Sequence, residues 1–153
     1  YLPALLASEN DIKSFSMTGQ RRDLNREKFK SEKLEAVFKN PESNANKNLR
    51  YLRHAMDVRS QLPQFHPQSQ MECLSKNRAD IVVIKRGIGS KAVFIIHNMT
   101  ENKINYRFID YEFNKLIKND LNMQDYLTSN KYNSNNIELD PFQVIWLGFL
   151  IDD

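Results

Sequence analysis

Ala92-Val93-Phe94-Ile95-Ile96-His97 is a run of β-branched and aromatic residues, with Gly89-Ser90-Lys91 before it and Asn98 after it. A short run of this kind between turn-forming residues predicts a strand. Five more follow the same pattern, over residues 71–74, 81–85, 104–109, 124–127 and 142–147, each rich in Val, Ile, Phe or Tyr. Upstream of Pro63 the periodicity is different. Leu34, Val37 and Phe38 stand at helical spacing, with Ser31 as a candidate N-cap and Asn40-Pro41 as a stop. A second helix starts near Pro41-Glu42-Ser43 and reaches Gln61, with an apolar face of Leu49, Leu52, Ala55 and Met56 extended by Tyr51. Helices followed by a block of strands predict an α+β chain of two segregated units, the second a small antiparallel β-domain. The boundary falls in Pro63-Gln64-Phe65-His66-Pro67, a rigid turn. The ranges expected are 1–62, a linker over 63–69, and a β-sandwich domain over 70–153.

The N-terminal stretch reads as follows. Residues 1–6 have the look of the end of a buried strand. Residues 8–26 are polar, carry the turn signal Thr18-Gly19, and read as a long loop, ordered by the embedded Phe15 and Met17. The chain opens at Tyr1 with no initiator Met and goes straight into an apolar run. That start suggests a piece of something longer.

Composition narrows the function classes. The 22 basic against 19 acidic side chains leave a net charge of +3, too small and too dispersed to argue for nucleic acid. No apolar run has the ~20 residues a membrane span needs. Cys73 is the one cysteine. It allows no internal disulfide and no metal-binding pair, which favours a reducing cytoplasm. No cofactor motif is present.

Among chemistry-bearing residues, the loop Arg21-Arg22-Asp23-Leu24-Asn25-Arg26 stands out. A guanidinium is permanently charged and grips phosphate or carboxylate through a planar fork. Arg22 beside Asp23 sets an arginine toward a ligand with an acid to orient it; the same residues equally suit a solvated loop with local ion pairs. Glu9 and Asp11 could face a cleft, but nothing else converges on them. His54, His66 and His97 lack partners at metal-ligand spacing and read as structural. Cys73 sits in an apolar strand without a nearby base and reads as a buried thiol. Phe142, Val144 and Trp146 alternate along the last strand and read as its core face.

Together, Tyr1-Leu2-Pro3-Ala4-Leu5-Leu6-Ala7-Ser8-Glu9-Asn10-Asp11, the loop Arg22-Asp23-Leu24-Asn25-Arg26, the helix end at Arg59, Phe65-His66-Pro67 and Pro141-Phe142-Gln143-Val144-Ile145-Trp146-Leu147 resemble the C-terminal part of sucrose phosphorylase-like enzymes of the α-amylase superfamily, glycoside hydrolase family thirteen. The resemblance implies that Tyr1 ends the eighth strand of a (β/α)8 barrel. It places residues 8–26 in the following loop, at the face where such barrels keep their active sites. The helices to Gln61 would then be the barrel's last helical layer, before the β-domain. It also implies cleavage of an α-glucoside by inorganic phosphate with retained configuration. That chemistry needs two carboxylates about 5 Å apart. In the family these precede the position of Tyr1, so the catalytic set would lie on a missing N-terminal barrel of the same chain. The family's acceptor-binding arginine matches Arg22, with Asp23, Asn25 and Arg26 as supports of the loop and of phosphate binding. Arg21 and Gln20 depart from the small residues common before that arginine, a departure that bears on the choice of acceptor. A β-domain that binds carbohydrate or mediates assembly without catalysis, and a hydrolase of the same superfamily, are the alternatives.

Overall fold

The computed structural model describes residues 2–25, 27–75, 77–108 and 122–150. The chain divides into two compact units, Tyr1–Asp57 and Val58–Asp153.

The first unit is helical: α1 (Leu2–Leu5), α2 (Ile12–Thr18), a 3-10 turn over Arg21–Asn25, α3 (Ser31–Lys39) and the greater part of α4 (Asn44–Gln61). The expected strand end at Leu2–Leu5 is therefore a helix. Pro3 sits in its first turn, where the ring's fixed φ suits a helix and the missing N–H costs nothing. Residues 8–26, expected as loop, contain α2. Asp11 caps it by accepting the Ser14 N–H at 2.9 Å, and Gly19 ends it in the left-handed conformation at φ 64°. Ser31 opens α3 without capping it; Lys30 holds the cap position and offers no side-chain bond.

Two asparagines of α4 explain how its neighbours end. Asn46 Nδ2 donates to the carbonyls of Val37 at 2.8 Å and Asn40 at 2.6 Å, satisfying the C-terminus of α3. Asn48 Nδ2 donates to the Leu5 carbonyl at 2.8 Å and does the same for α1. Ala45, Leu49, Leu52 and Ala55 form the covered line of α4. Met56 and Tyr51, expected on that face, point away and are 70% and 47% exposed.

The second unit is antiparallel. β1 (Met71–Cys73), β2 (Ile81–Arg86), β3 (Val93–Asn98), β4 (Ile104–Tyr106), β5 (Asn122–Asp125), β6 (Lys131–Asn133), β7 (Ile137–Leu139) and β8 (Val144–Phe149) form two sheets. The larger has the order β1-β2-β3-β8-β5-β6, and the smaller pairs β4 with β7. Ile81, Val83, Phe94, Ile96, Met123, Ile145 and Leu147 of the large sheet bury completely or nearly so with Ile137 and Leu139 of the small one. Phe94 makes edge contacts with Phe108 and Phe149, at centroid distances of 4.9 and 5.7 Å. The α+β architecture with a small antiparallel domain is thus present.

Several details differ from expectation. On β8 the core face carries Ile145 and Leu147, not Val144 and Trp146, which are half-buried on the other side. Phe142 precedes the strand at φ 55°, in a turn closed by Gln143 N–H to the Asp140 carbonyl at 3.1 Å, and is 62% exposed. Cys73 is exposed, because β1 is an edge strand. Strands β6 and β7 flank the asparagines Asn133, Asn135 and Asn136 and are not among the strands expected above. The strand expected over 104–109 is ordered as β4 and a bond from Phe108 N–H to the Ser134 carbonyl; residue 109 lies outside the described residues.

Pro63–Phe65 forms a 3-10 turn that is knitted into the second unit. The Arg86 guanidinium donates to the carbonyls of Gln64 and His66, both at 2.7 Å, and lies 5.9 Å from the Phe65 ring. Phe65 in turn packs on Trp146 at 4.7 Å.

Asn98 ties the loop ends together. It is 2% exposed, its Nδ2 donates to the carbonyls of Asn102 and Asp140, and its Oδ1 accepts from the Thr100 N–H and hydroxyl. Every polar capacity of the amide is used. Asn98→Ala should lower the stability of the chain by about 2–4 kcal/mol, measured by urea unfolding, because two carbonyls and an N–H lose their partner at once.

Candidate functional site

The geometry of the arginine loop begins with α2. Asp11 fixes both ends of the loop. Its carboxylate receives Ser14 N–H and Ser14 Oγ, at 2.9 and 2.6 Å, and its own N–H donates to the Leu24 carbonyl at 2.7 Å. The bonds from Ser14 hold the Asp11 carboxyl below its ordinary range. Gly19 turns the chain back, and the 3-10 turn brings Asp23 over the end of α2. Asp23 Oδ2 accepts the Thr18 hydroxyl at 2.6 Å, while its N–H donates to the Gln20 carbonyl at 2.9 Å.

Arg22 is thereby presented on a closed loop. Its side chain is 66% exposed, and its Nε stands 4.0 Å from Asp23 Oδ1, an ion-pair distance beyond hydrogen-bond reach. Asn25 is exposed at the end of the turn. Arg26 lies outside the described residues. Of the residues singled out from the sequence, then, Arg22 and Asp23 are side by side, and Asn25 follows two positions on.

A separate cleft of ≈ 590 Å³ opens on the same unit, lined by residues that include Leu6, Glu9, Asp11, Lys13, Lys28 and Lys33. Glu9 and Asp11 do reach this cleft, but Asp11 is committed to capping α2, and Arg22 is not among the lining residues. Lys33 pairs with Glu27 and lies 5.5 Å from the Phe29 ring, so this lysine is already engaged.

The other chemistry-bearing residues lie in structural settings. His97 is half-buried on the outer face of β3, where desolvation lowers its pKa. His66 Nδ1 accepts the Gln68 N–H at 3.2 Å. Among the described residues no cluster of three His, Cys, Asp or Glu could hold a metal ion. No helix of the described residues is long and apolar enough to cross a membrane.

Sequence reasoning missed Thr18 and Ser14. The available signal was local: Asp11 three residues before Ser14, and Gly19 seven residues after Ile12, are a helix start and stop.

No family model matches the chain. It is 36% identical over 101 residues, 66% of its length, to a glucosylglycerate phosphorylase of Allomeiothermus silvanus, and the match spans 18% of that protein. Among solved structures it is similar to an alpha-amylase of Anoxybacillus, with a TM-score of 0.54 and 14% identity, over 73% of this chain and 26% of the other. It is also similar to an isomaltulose synthase of Klebsiella sp. LX3, with a TM-score of 0.55 and 14% identity, over 84% of this chain and 23% of the other. At such identities the two structures bear on the fold. The phosphorylase match agrees with the resemblance that the motifs carry: over those 101 residues the chain is similar to a glucosylglycerate phosphorylase, of whose length it spans about a fifth.

Proposed function

We propose that this chain is the C-terminal part of a retaining α-glucoside phosphorylase, which cleaves a glucoside of the sucrose, sucrose phosphate or glucosylglycerate type with phosphate to give α-glucose 1-phosphate. The 101-residue match to a glucosylglycerate phosphorylase carries the reading. On this reading residues 1–62 complete a catalytic barrel, and 70–153 form the β-domain behind the linker 63–69. The partners are a small sugar and inorganic phosphate, and the setting is the cytoplasm.

The loop geometry supports a division of labour. A phosphate dianion entering a closed sugar site needs a fixed cation that leaves its donors free. Arg22 meets both conditions. Its loop is latched at Asp11 and Thr18, and its guanidinium is not bonded to Asp23. Water as the acceptor would need no anion-binding fork, so the same geometry favours phosphorolysis over hydrolysis. Asp23, Asn25 and Arg26 are assigned to loop support.

The bond-breaking carboxylates are placed outside this chain. The purified 153-residue protein, mixed with phosphate and either sucrose or glucosylglycerate, should release no α-glucose 1-phosphate. Any phosphate-dependent turnover by it would overturn the proposed division. The test of the positive claim is the longer protein, which should form α-glucose 1-phosphate with retention of configuration.

A further inference from the structure

We infer that Thr18 is a positioning residue that keeps Asp23 from capturing the Arg22 fork, and so reserves that fork for phosphate; the inference rests on the reading above. The argument starts from how Asp23 divides its two oxygens. Oδ2 takes the Thr18 hydroxyl at 2.6 Å, and Oδ1 is left 4.0 Å from Arg22 Nε. A free carboxylate next to an arginine closes on it with two parallel hydrogen bonds, the geometry an incoming phosphate also needs. Anchoring one oxygen elsewhere prevents that closure.

Thr18 is held in place for the task. It is the last residue of α2, and its hydroxyl lies 3.0 Å from the Ser14 carbonyl and receives the Gln20 N–H at 3.2 Å. The hydroxyl has one proton. Of its two acceptors, the charged carboxylate is the nearer and the stronger. Gly19, at φ 64°, supplies the reversal that carries Asp23 back over Thr18. The backbone bond from Asp11 to Leu24 then closes the loop from the other side. Arg22 sits between these two fastenings, so its cation is carried on a fixed backbone while its donors stay beyond hydrogen-bond reach of Asp23.

Sequence alone hides this arrangement, because Asp23 beside Arg22 suggests an ion pair. The structure gives the acid a different first partner. Loss of the Thr18 hydroxyl frees Asp23 to rotate onto Arg22, which converts a support into a competitor of phosphate.

The test is steady-state kinetics of the longer phosphorylase. Thr18→Val should raise the phosphate KM by about fivefold to tenfold, the scale of one ordinary hydrogen bond, and leave the KM for the glucoside within about twofold. Thr18→Ser restores the hydroxyl and should restore the phosphate KM. The decisive variant is Thr18→Val with Asp23→Asn. An amide cannot pair with Arg22 as an anion, so the double variant should recover most of the phosphate affinity lost in Thr18→Val. A double variant as poor as, or poorer than, Thr18→Val overturns the inference and leaves Thr18 a plain brace of the loop. An unchanged phosphate KM in Thr18→Val, alongside a raised one in Arg22→Ala, also overturns it while the assignment of Arg22 stands. An unchanged phosphate KM in Arg22→Ala overturns both.

Discussion

Asp125→Ala should lower the stability of the chain by about 3–5 kcal/mol, the scale for leaving two backbone N–H groups without their acceptor. Asp125 has no exposed surface. Its Oδ1 accepts the backbone N–H of Trp146 at 2.7 Å and of Leu127 at 3.2 Å, and its Oδ2 accepts the Thr128 hydroxyl at 2.6 Å. The residue therefore does two jobs. It shapes the reversal from β5 to β6, helped by its own backbone bonds to Asn130 and Ser129. It also fixes that hairpin to β8, the neighbour of β5 in the sheet. Alanine at this position leaves the N–H groups of Leu127 and Trp146 without their acceptor, while the exposed Thr128 hydroxyl can turn to water. Total stabilities of domains are ~5–15 kcal/mol, so the loss is a large share. Asp125→Asn keeps an acceptor for Trp146 and lets the Thr128 hydroxyl turn to accept, and should cost about half as much. Trp146 is the only tryptophan of the chain, and its fluorescence reports the transition directly in urea. A midpoint for Asp125→Ala equal to that of the unaltered chain would show that the carboxylate does not hold the sheet.

The prominence of Asp125 was not legible in the sequence, and the reason is physical. Gln124-Asp125-Tyr126-Leu127 reads as half a strand, and an acid within it reads as solvent-facing. The inward position of Asp125 follows from its strand register opposite Leu147, which depends on tertiary pairing. The three strands at the centre of the sheet were legible in place but only partly in phase. β2 and β3 are apolar on both faces, and so is β8, where Val144 and Trp146 alternate with Ile145 and Leu147. A continuous apolar run announces a strand without saying which face is inward. Strands β6 and β7 were hidden for another reason. Each is 3 residues long, and the turn between them is made by asparagines, with Asn135 N–H bonded to Asn133 Oδ1 at 2.8 Å. Three asparagines within residues 133–136 mark a turn, but the flanking segments are too short to show alternation. In the candidate site, the arginine loop stands out in the sequence, whereas its latch does not. Thr18 and Asp23 meet because Gly19 reverses the chain, a contact that spacing alone does not specify.

On the proposed function, Arg22→Ala in the longer protein should raise the phosphate KM by about 10–100-fold, the equivalent of losing hydrogen bonds from a charged donor worth about 1.5–3 kcal/mol. The glucoside KM should move far less, because the fork is assigned to the incoming anion and not to the transferred glucosyl group. The size of the effect follows from the exposure and freedom of the side chain. Among the described residues Arg22 is bound to no carboxylate at hydrogen-bond distance, so its removal leaves no buried partner unsatisfied there and should not unfold the loop. The latch formed by Asp11, Thr18 and Asp23 persists without it. Arg22→Lys separates charge from shape. A lysine keeps the positive charge but not the planar pair of donors, and should fall between alanine and the unaltered enzyme. High salt should weaken phosphate binding in the unaltered enzyme more than in Arg22→Ala, since the screened cation is the one removed. Kinetics at several phosphate concentrations, with the glucoside held saturating, measure the first effect, and glucoside titration at saturating phosphate measures the second. Equal losses in both would assign Arg22 to holding the loop, and would move the proposed anion site to another residue.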